Sequence, residues 1–139
     1  MQRTLAIIKP DAVEKGVIGK ILTRIEEEGF VVCAVRMTRL SKHEAEGFYA
    51  VHADKPFFGA LTDFMSSGRS VLLAIEAPDA IRKWRDVMGA TDPAKAAEGT
   101  LRQMFGDSIE RNATHGSDAP ETAAFELAYF FRGMELVNR

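Results

Sequence analysis

The chain has 139 residues, with 46% apolar and 27% charged. That balance suits one self-supporting domain over residues 1–139 and argues against disorder, collagen and coiled coil. Lys plus Arg number 18 and Asp plus Glu 20, a formal charge of −2, so no net basic field holds nucleic acid non-specifically and any polyanion site has to be local.

At the N-terminus only four apolar residues, Leu5 to Ile8, precede Lys9-Pro10-Asp11. This is too short for a signal or membrane segment, so a cytoplasmic protein without a membrane partner is expected. The same run, unbroken by polar residues, predicts a first strand buried on both faces. Ile18, Ile21, Leu22 and Ile25 follow the spacing of one helix face, and Gly29 stands where that helix has to stop. Val-rich Phe30 to Met37 predicts a second strand. It contains the single cysteine, Cys33, which excludes an intrachain disulfide and a Cys-rich metal site and fits a reducing compartment. Ser41 and Glu44 form a capping box, and Ala45, Phe48, Tyr49 and His52 continue a helical stripe behind it.

Pro56 precedes a third helical pattern, Phe58, Leu61 and Met65, with Gly68 beyond its end. Ser70 to Glu76 predicts a third buried strand, and Pro78 opens a helix that ends before Gly89. From Ala90 to Ser117 the periodicity fades into Gly, Thr, Asp, Pro, Asn and His. A compact domain keeps so long a loop region for function. The last helix is predicted from Asp118 with Glu121 as a second capping box and from the stripe Ala124, Leu127, Ala128 and Phe131, before Gly133.

The common phosphate motifs are absent. Gly16-Val17-Ile18-Gly19-Lys20-Ile21 fails as a P-loop in glycine spacing and in lacking Ser or Thr after the lysine; no GxGxxG, HExxH or CxxC occurs either. Of the three histidines, His43 and His52 sit at the two ends of the second predicted helix and read as structural. His115 lies in Asn112-Ala113-Thr114-His115-Gly116-Ser117-Asp118, outside any apolar stripe and just before a helix start, where free N–H groups favour an anion. A neutral imidazole there can attack phosphorus and form a covalent intermediate. The local pattern alone also fits a solvated loop histidine.

Several segments, in order, resemble the nucleoside diphosphate kinase family. They are Thr4 to Val13 with Lys9-Pro10-Asp11, Phe48-Tyr49-Ala50-Val51-His52, Lys55-Pro56-Phe57-Phe58, Val87 to Ala94, Gly99-Thr100-Leu101-Arg102 and Asn112 to Asp118. The resemblance spans nearly the whole chain. It implies ping-pong transfer of a γ-phosphoryl group between nucleoside tri- and diphosphates, with His115 in the nucleophile's position. Arg85, Arg102 and Thr91 match phosphate-contacting positions, where guanidinium forks suit phosphate geometry. Lys9 and Asn112 match positions that contact sugar hydroxyls and phosphates, and Phe57 matches the base-stacking residue, a role that tolerates every base.

Tyr49 matches a residue placed near the catalytic histidine. Glu126 matches the carboxylate that holds the other ring nitrogen and fixes the tautomer, with Ser117 beside the pair. Each also has a plainer reading: Arg85 and Arg102 as solvated surface residues, Lys9 as snorkelling, Phe57 and Tyr49 as core, Glu126 as solvated helix face. Asp118 has two readings, reaching the metal through water or capping the last helix, of which the cap is preferred.

The resemblance further implies Mg²⁺ as cofactor, held by nucleotide phosphates and water with no dedicated protein ligands, and a homo-oligomer, tetramer or hexamer. The implied fold is α+β: a ferredoxin-like, four-stranded antiparallel sheet with helices packed on one face, followed by a C-terminal loop region and helix. That fold needs a fourth strand near residues 109–115. The pattern departs from the family at Arg69, at Pro78-Asp79 and at Met104. Two rival readings remain at this level: a nucleotide-binding regulatory module without turnover, and a nucleic-acid-binding domain. Against the second, residues 82–115 mix six Lys or Arg with five Asp or Glu, which leaves no continuous basic stripe.

Overall fold

A computed structural model describes residues 1–136. Its sheet has four antiparallel strands in the order β2-β3-β1-β4, with β1 Gln2–Ile8, β2 Val31–Thr38, β3 Ser70–Ala77 and β4 Thr114–Gly116. The helices are α1 Pro10–Glu14, α2 Ile18–Glu27, α3 Lys42–Phe48, α4 Phe58–Met65, α5 Ala80–Met88, α6 Leu101–Phe105 and α7 Pro120–Phe130. Short 3-10 turns follow at Ala50–His52, Pro93–Lys95 and Gly133–Glu135.

Alternation along the central strands divides the core into two layers. Ala6 and Ile8 of β1, with Val71, Leu73 and Ile75 of β3, pack against Ile21 and Ile25 of α2 and Trp84 and Met88 of α5. Leu5, Ile7, Leu72 and Ala74 point the other way, onto Phe48, Met65, Leu127 and Phe130 of α3, α4 and α7. Helices therefore cover both faces, not one as expected. The reason is legible in β1 and β3: their unbroken apolar runs have no face for water, and each fully buried Leu or Ile contributes roughly 1.5–3 kcal/mol.

Ser41 Oγ accepts from the Glu44 N–H and Glu44 Oε1 from the Ser41 N–H, so the predicted capping box forms. The helix behind it ends at Phe48, and His52 falls in the following 3-10 turn. α5 starts at Ala80, two residues after Pro78, because Asp79 takes a left-handed conformation (φ 52°) and serves as the N-cap.

Two expectations near the C-terminus are corrected. The fourth strand is only Thr114–Gly116. Residues 107–111 curl into a turn closed by the Asp107 N–H on the Arg111 carbonyl and the Arg111 N–H on Ser108 Oγ. Ala113 then sits at φ 74°, which no strand continues through. Asp118 and Glu121 also form no capping box. Ala119 is the N-cap, the Asp118 and Ala119 N–H groups both donate to Thr122 Oγ1, and the Asp118 carboxylate instead meets Arg85. With the helix starting at Pro120, its inward face is Ala123, Glu126, Leu127 and Phe130, while Ala124 and Ala128 are exposed. Glu126 thereby lies on the packed side, not on a solvated one.

Candidate active site

β4 pairs with β1 so that His115 lies opposite Ile7. Directly paired residues share a face, so the imidazole joins the layer formed by α3 and α7. There its ring meets the edges of Phe48 at 5.4 Å and Tyr49 at 6.3 Å. The backbone of β4 is fixed from the opposite layer, where Trp84 Nε1 donates to the His115 carbonyl at 3.1 Å.

Nε2 of His115 lies 2.8 Å from Glu126 Oε1. The same oxygen accepts from Ser117 Oγ at 2.9 Å, and Ser117 Oγ in turn accepts from the Leu5 N–H at 3.2 Å. A carboxylate only accepts, so the proton is assigned to Nε2, and Nδ1 is left with its lone pair. Among the described residues Nδ1 has no hydrogen-bond partner. The ring is 17% exposed and lines an open cleft of about 430 Å³.

Lys9, Tyr49, Phe57, Thr91, Arg102, Asn112 and His115 all line this cleft. Residues from the end of β1, the start of α4 and the long region after α5 thus converge on one space. Ser117 and Glu126 lie behind His115. Arg85 stands apart, in an adjoining hollow of about 550 Å³ that shares Thr91, Arg102, Gly116 and Asp118 with the cleft. Its Nη1 lies 2.5 Å from Asp118 Oδ1.

Two cations, one buried and one half-buried, give the cleft its character. Lys9 Nζ donates to the neutral Asn112 Oδ1 at 2.8 Å, and Asn112 Nδ2 to the Thr91 carbonyl at 3.0 Å. Burial, assisted by the charge of Arg102, lowers the Lys9 pKa to about 8. Arg102 donates to the Gly89 and Thr114 carbonyls, and its Nε is buried with no partner. Burial, with Arg85 nearby, lowers its pKa to about 10. Among the described residues neither cation forms an ion pair. Buried charge left on neutral acceptors costs free energy that an incoming anion restores.

Tyr49 Oη is also buried without a partner. Burial, reinforced by Glu126, pushes its pKa upward, so the hydroxyl keeps its proton and stays a donor. Phe57 is 50% exposed, which removes the core reading for it. Ile109, unnoticed in the sequence, also lines the cleft and is 62% exposed. An exposed isoleucine in a polar loop was the one available signal. His52, read as structural, lines the cleft too, between the rings of Tyr49 and Phe57. The departures at Arg69, Pro78-Asp79 and Met104 lie outside the cleft.

Such a constellation can hold a flexible anion against a ring nitrogen aimed at it. Comparison with known proteins agrees. The family model described as nucleoside diphosphate kinase matches residues 2–136. A nucleoside diphosphate kinase of Syntrophotalea carbinolica is 62% identical over 137 residues, covering 99% of this chain and 100% of its own. That of Desulfosudis oleivorans is 53% identical over 139 residues, covering 100% of both.

Among solved structures, the Aquifex aeolicus nucleoside diphosphate kinase superposes with a TM-score of 0.96 at 45% identity, over 98% of this chain and 99% of that one. The Halobacterium salinarum nucleoside diphosphate kinase in complex with CDP gives 0.95 at 40%, over 99% and 92%. Full-length similarity of sequence and of fold, around a cleft built for an anion, means that the chain belongs to the nucleoside diphosphate kinase family of enzymes.

Proposed function

We propose that the protein moves the γ-phosphoryl group of a nucleoside triphosphate to a nucleoside diphosphate through a phosphohistidine at His115. One observation carries this reading: Glu126 holds Nε2 of His115 while Nδ1 is left unengaged on a cleft lined by the cations Lys9 and Arg102. In the first half, the Nδ1 lone pair attacks the γ-phosphorus and the bond to the bridging oxygen breaks. The diphosphate departs with that electron pair. In the second half, a β-phosphate oxygen of another diphosphate attacks the same phosphorus and the P–N bond breaks, which regenerates the imidazole.

Arg102, Thr91 and Arg85 hold the phosphates, the guanidinium groups facing charge that spreads over the equatorial oxygens. Lys9 and Asn112 hold the sugar and phosphates, Phe57 stacks on the base, and Tyr49 donates to the transferring group. Glu126 and Ser117 keep the ring oriented.

Mg²⁺ fits as a companion of the nucleotide. Among the described residues no group of three His, Cys, Asp or Glu could cage a metal, while Asp118 offers an exposed carboxylate at the phosphate end. When bound, the ion neutralises phosphate charge. The substrate class is supported by the CDP in the Halobacterium relative.

We further place the protein in the cytoplasm, as one catalytic domain in a homo-oligomer, tetramer or hexamer, which light scattering would measure. Among the described residues no helix is long and apolar enough to cross a membrane. The central test is labelling with γ-labelled ATP. An acid-labile, base-stable label should form, nucleoside diphosphates should remove it, and His115→Ala should carry none. Label retained on that variant would refute the assignment.

A further inference from the structure

Between the two cleft residues Asn112 and His115 the backbone does something that L-residues avoid. The Thr114 N–H donates to the Asn112 carbonyl two residues back, at 2.9 Å. This closes a γ-turn around Ala113, whose φ is 74°. A γ-turn of this hand is rare and strained, and for a residue with a Cβ it persists only where the surroundings over-determine it.

The surroundings here are one short stretch of chain from the opposite end of the sequence. The Ala113 carbonyl accepts from the Lys9 N–H at 2.9 Å. The Ala113 N–H donates to Asp11 Oδ2 at 3.0 Å. Asp11 itself is 1% exposed, and its other oxygen is buried without a hydrogen-bond partner. A carboxylate confined in this way, against the cost of its own desolvation, is poorly explained by stability alone.

We propose that Asp11 is a positioning residue for phosphoryl transfer: its Oδ2 holds the Ala113 N–H, and so the left-handed turn that aims Asn112 and His115 into the cleft. This rests on the phosphohistidine reading above and deepens it. Asp11 touches no reacting atom and acts through the turn. Because Lys9 reaches Asn112 directly, loss of the Asp11 contact should fall more on the aim of His115, and hence on the chemical step, than on nucleotide affinity.

The test is a double-mutant cycle in single-turnover labelling with γ-labelled ATP. Asp11→Ala should slow phosphoenzyme formation about 10- to 100-fold, the scale of a small misplacement of a reacting group, with a smaller change in the KM for ATP. Glycine adopts a positive φ without penalty. In the Ala113→Gly background the Asp11→Ala effect should therefore shrink to about 3-fold or less, the signature of a shared turn. A residue serving only the fold would lose activity equally in both backgrounds.

Should Asp11→Ala fail to fold, Asp11→Asn carries the same cycle. Its neutral amide oxygen is a weaker acceptor, so a loss of about 3-fold is expected, again removed by Ala113→Gly. Labelling as fast as wild type in the Asp11 variant, or a loss that Ala113→Gly does not reduce, overturns the proposal. A wild-type protein without label on His115 overturns instead the reading it rests on, so the two failures are distinguishable.

Discussion

Glu126 reaches back eleven residues to His115, its Oε1 lying 2.8 Å from Nε2 and held in turn by Ser117 at 2.9 Å. The carboxylate is 14% exposed on its side chain, so water competes weakly and the ring has one preferred tautomer and tilt. Glu126→Ala should slow phosphoenzyme formation by at least roughly 10- to 100-fold, the range for carboxylates that orient a metal-bound histidine. Nucleotide affinity should stay within about 2-fold, since Glu126 lines no part of the cleft. Rapid-quench labelling and equilibrium titration measure the two separately. Ser117→Ala should slow labelling less than Glu126→Ala does, through the loosened carboxylate, and should also cost about 1–3 kcal/mol in urea unfolding, because the Leu5 N–H loses its buried acceptor.

Tyr49 predicts the opposite trade. Its hydroxyl is buried without a partner in the free protein, a standing cost that phenylalanine avoids. Tyr49→Phe should leave the melting temperature equal or higher. Transfer should slow about 10-fold through the lost donor to the phosphoryl group. A lower melting temperature at full activity would contradict both halves.

Lys9 carries the pH dependence. In the fold its ammonium titrates at about 8, against the ordinary 10.5, chiefly because it is buried. The unfolded chain therefore holds the proton across the window between those values while the fold has released it. By linkage, stability rises with pH from about 8 to 10.5. A bound polyphosphate favours the charged form, so nucleotide binding above pH 8 should take up protons and weaken as pH rises. Calorimetry in buffers of different ionisation enthalpy reads the proton uptake, and Lys9→Met should abolish it.

Phe57, half exposed at the mouth of the cleft, should contribute binding and little stability. Phe57→Ala should weaken nucleotide binding by about 1–3 kcal/mol, the worth of one stacked base. The loss should be similar for ADP, GDP and CDP, with no change in the unfolding midpoint beyond about 0.5 kcal/mol.

What could be seen in the sequence depended on how each element carries its information. α2 and α3 announce themselves, because Ile21 and Ile25 repeat on one face and Ser41 with Glu44 closes a reciprocal cap. α1 does not: four of its five residues, Asp11 among them, are buried, so no polar and apolar sides exist to alternate. α6 is equally short, with Leu101 alone buried, and β4 has three residues, fewer than a period-two pattern needs.

The cap of α7 is not legible in the sequence because Asp118 has a stronger partner in Arg85, a residue far away in the chain. His115 is marked by its own setting just before a helix start, whereas Lys9 and Arg102 come from family resemblance. Spacing alone left each with a plain surface reading, and it was their shared cleft, fixed by contacts between β1 and β4, that set those readings aside. Ile109 carries only the signal of an apolar residue in a polar loop, and His52, although inside a matching segment, reads as structural from its place at a helix end.

Pairing of β1 with β4 ties the opening strand to a segment 112 residues later, through the Leu5 N–H and Ser117 Oγ. A chain lacking residues 114–117 leaves one flank of β1 without its partner strand, an open edge with unpaired backbone groups. Closing that flank and assembling the histidine, its carboxylate and its turn therefore depend on the same segment. Products of premature termination should accordingly be adhesive and inert together, never soluble with partial activity.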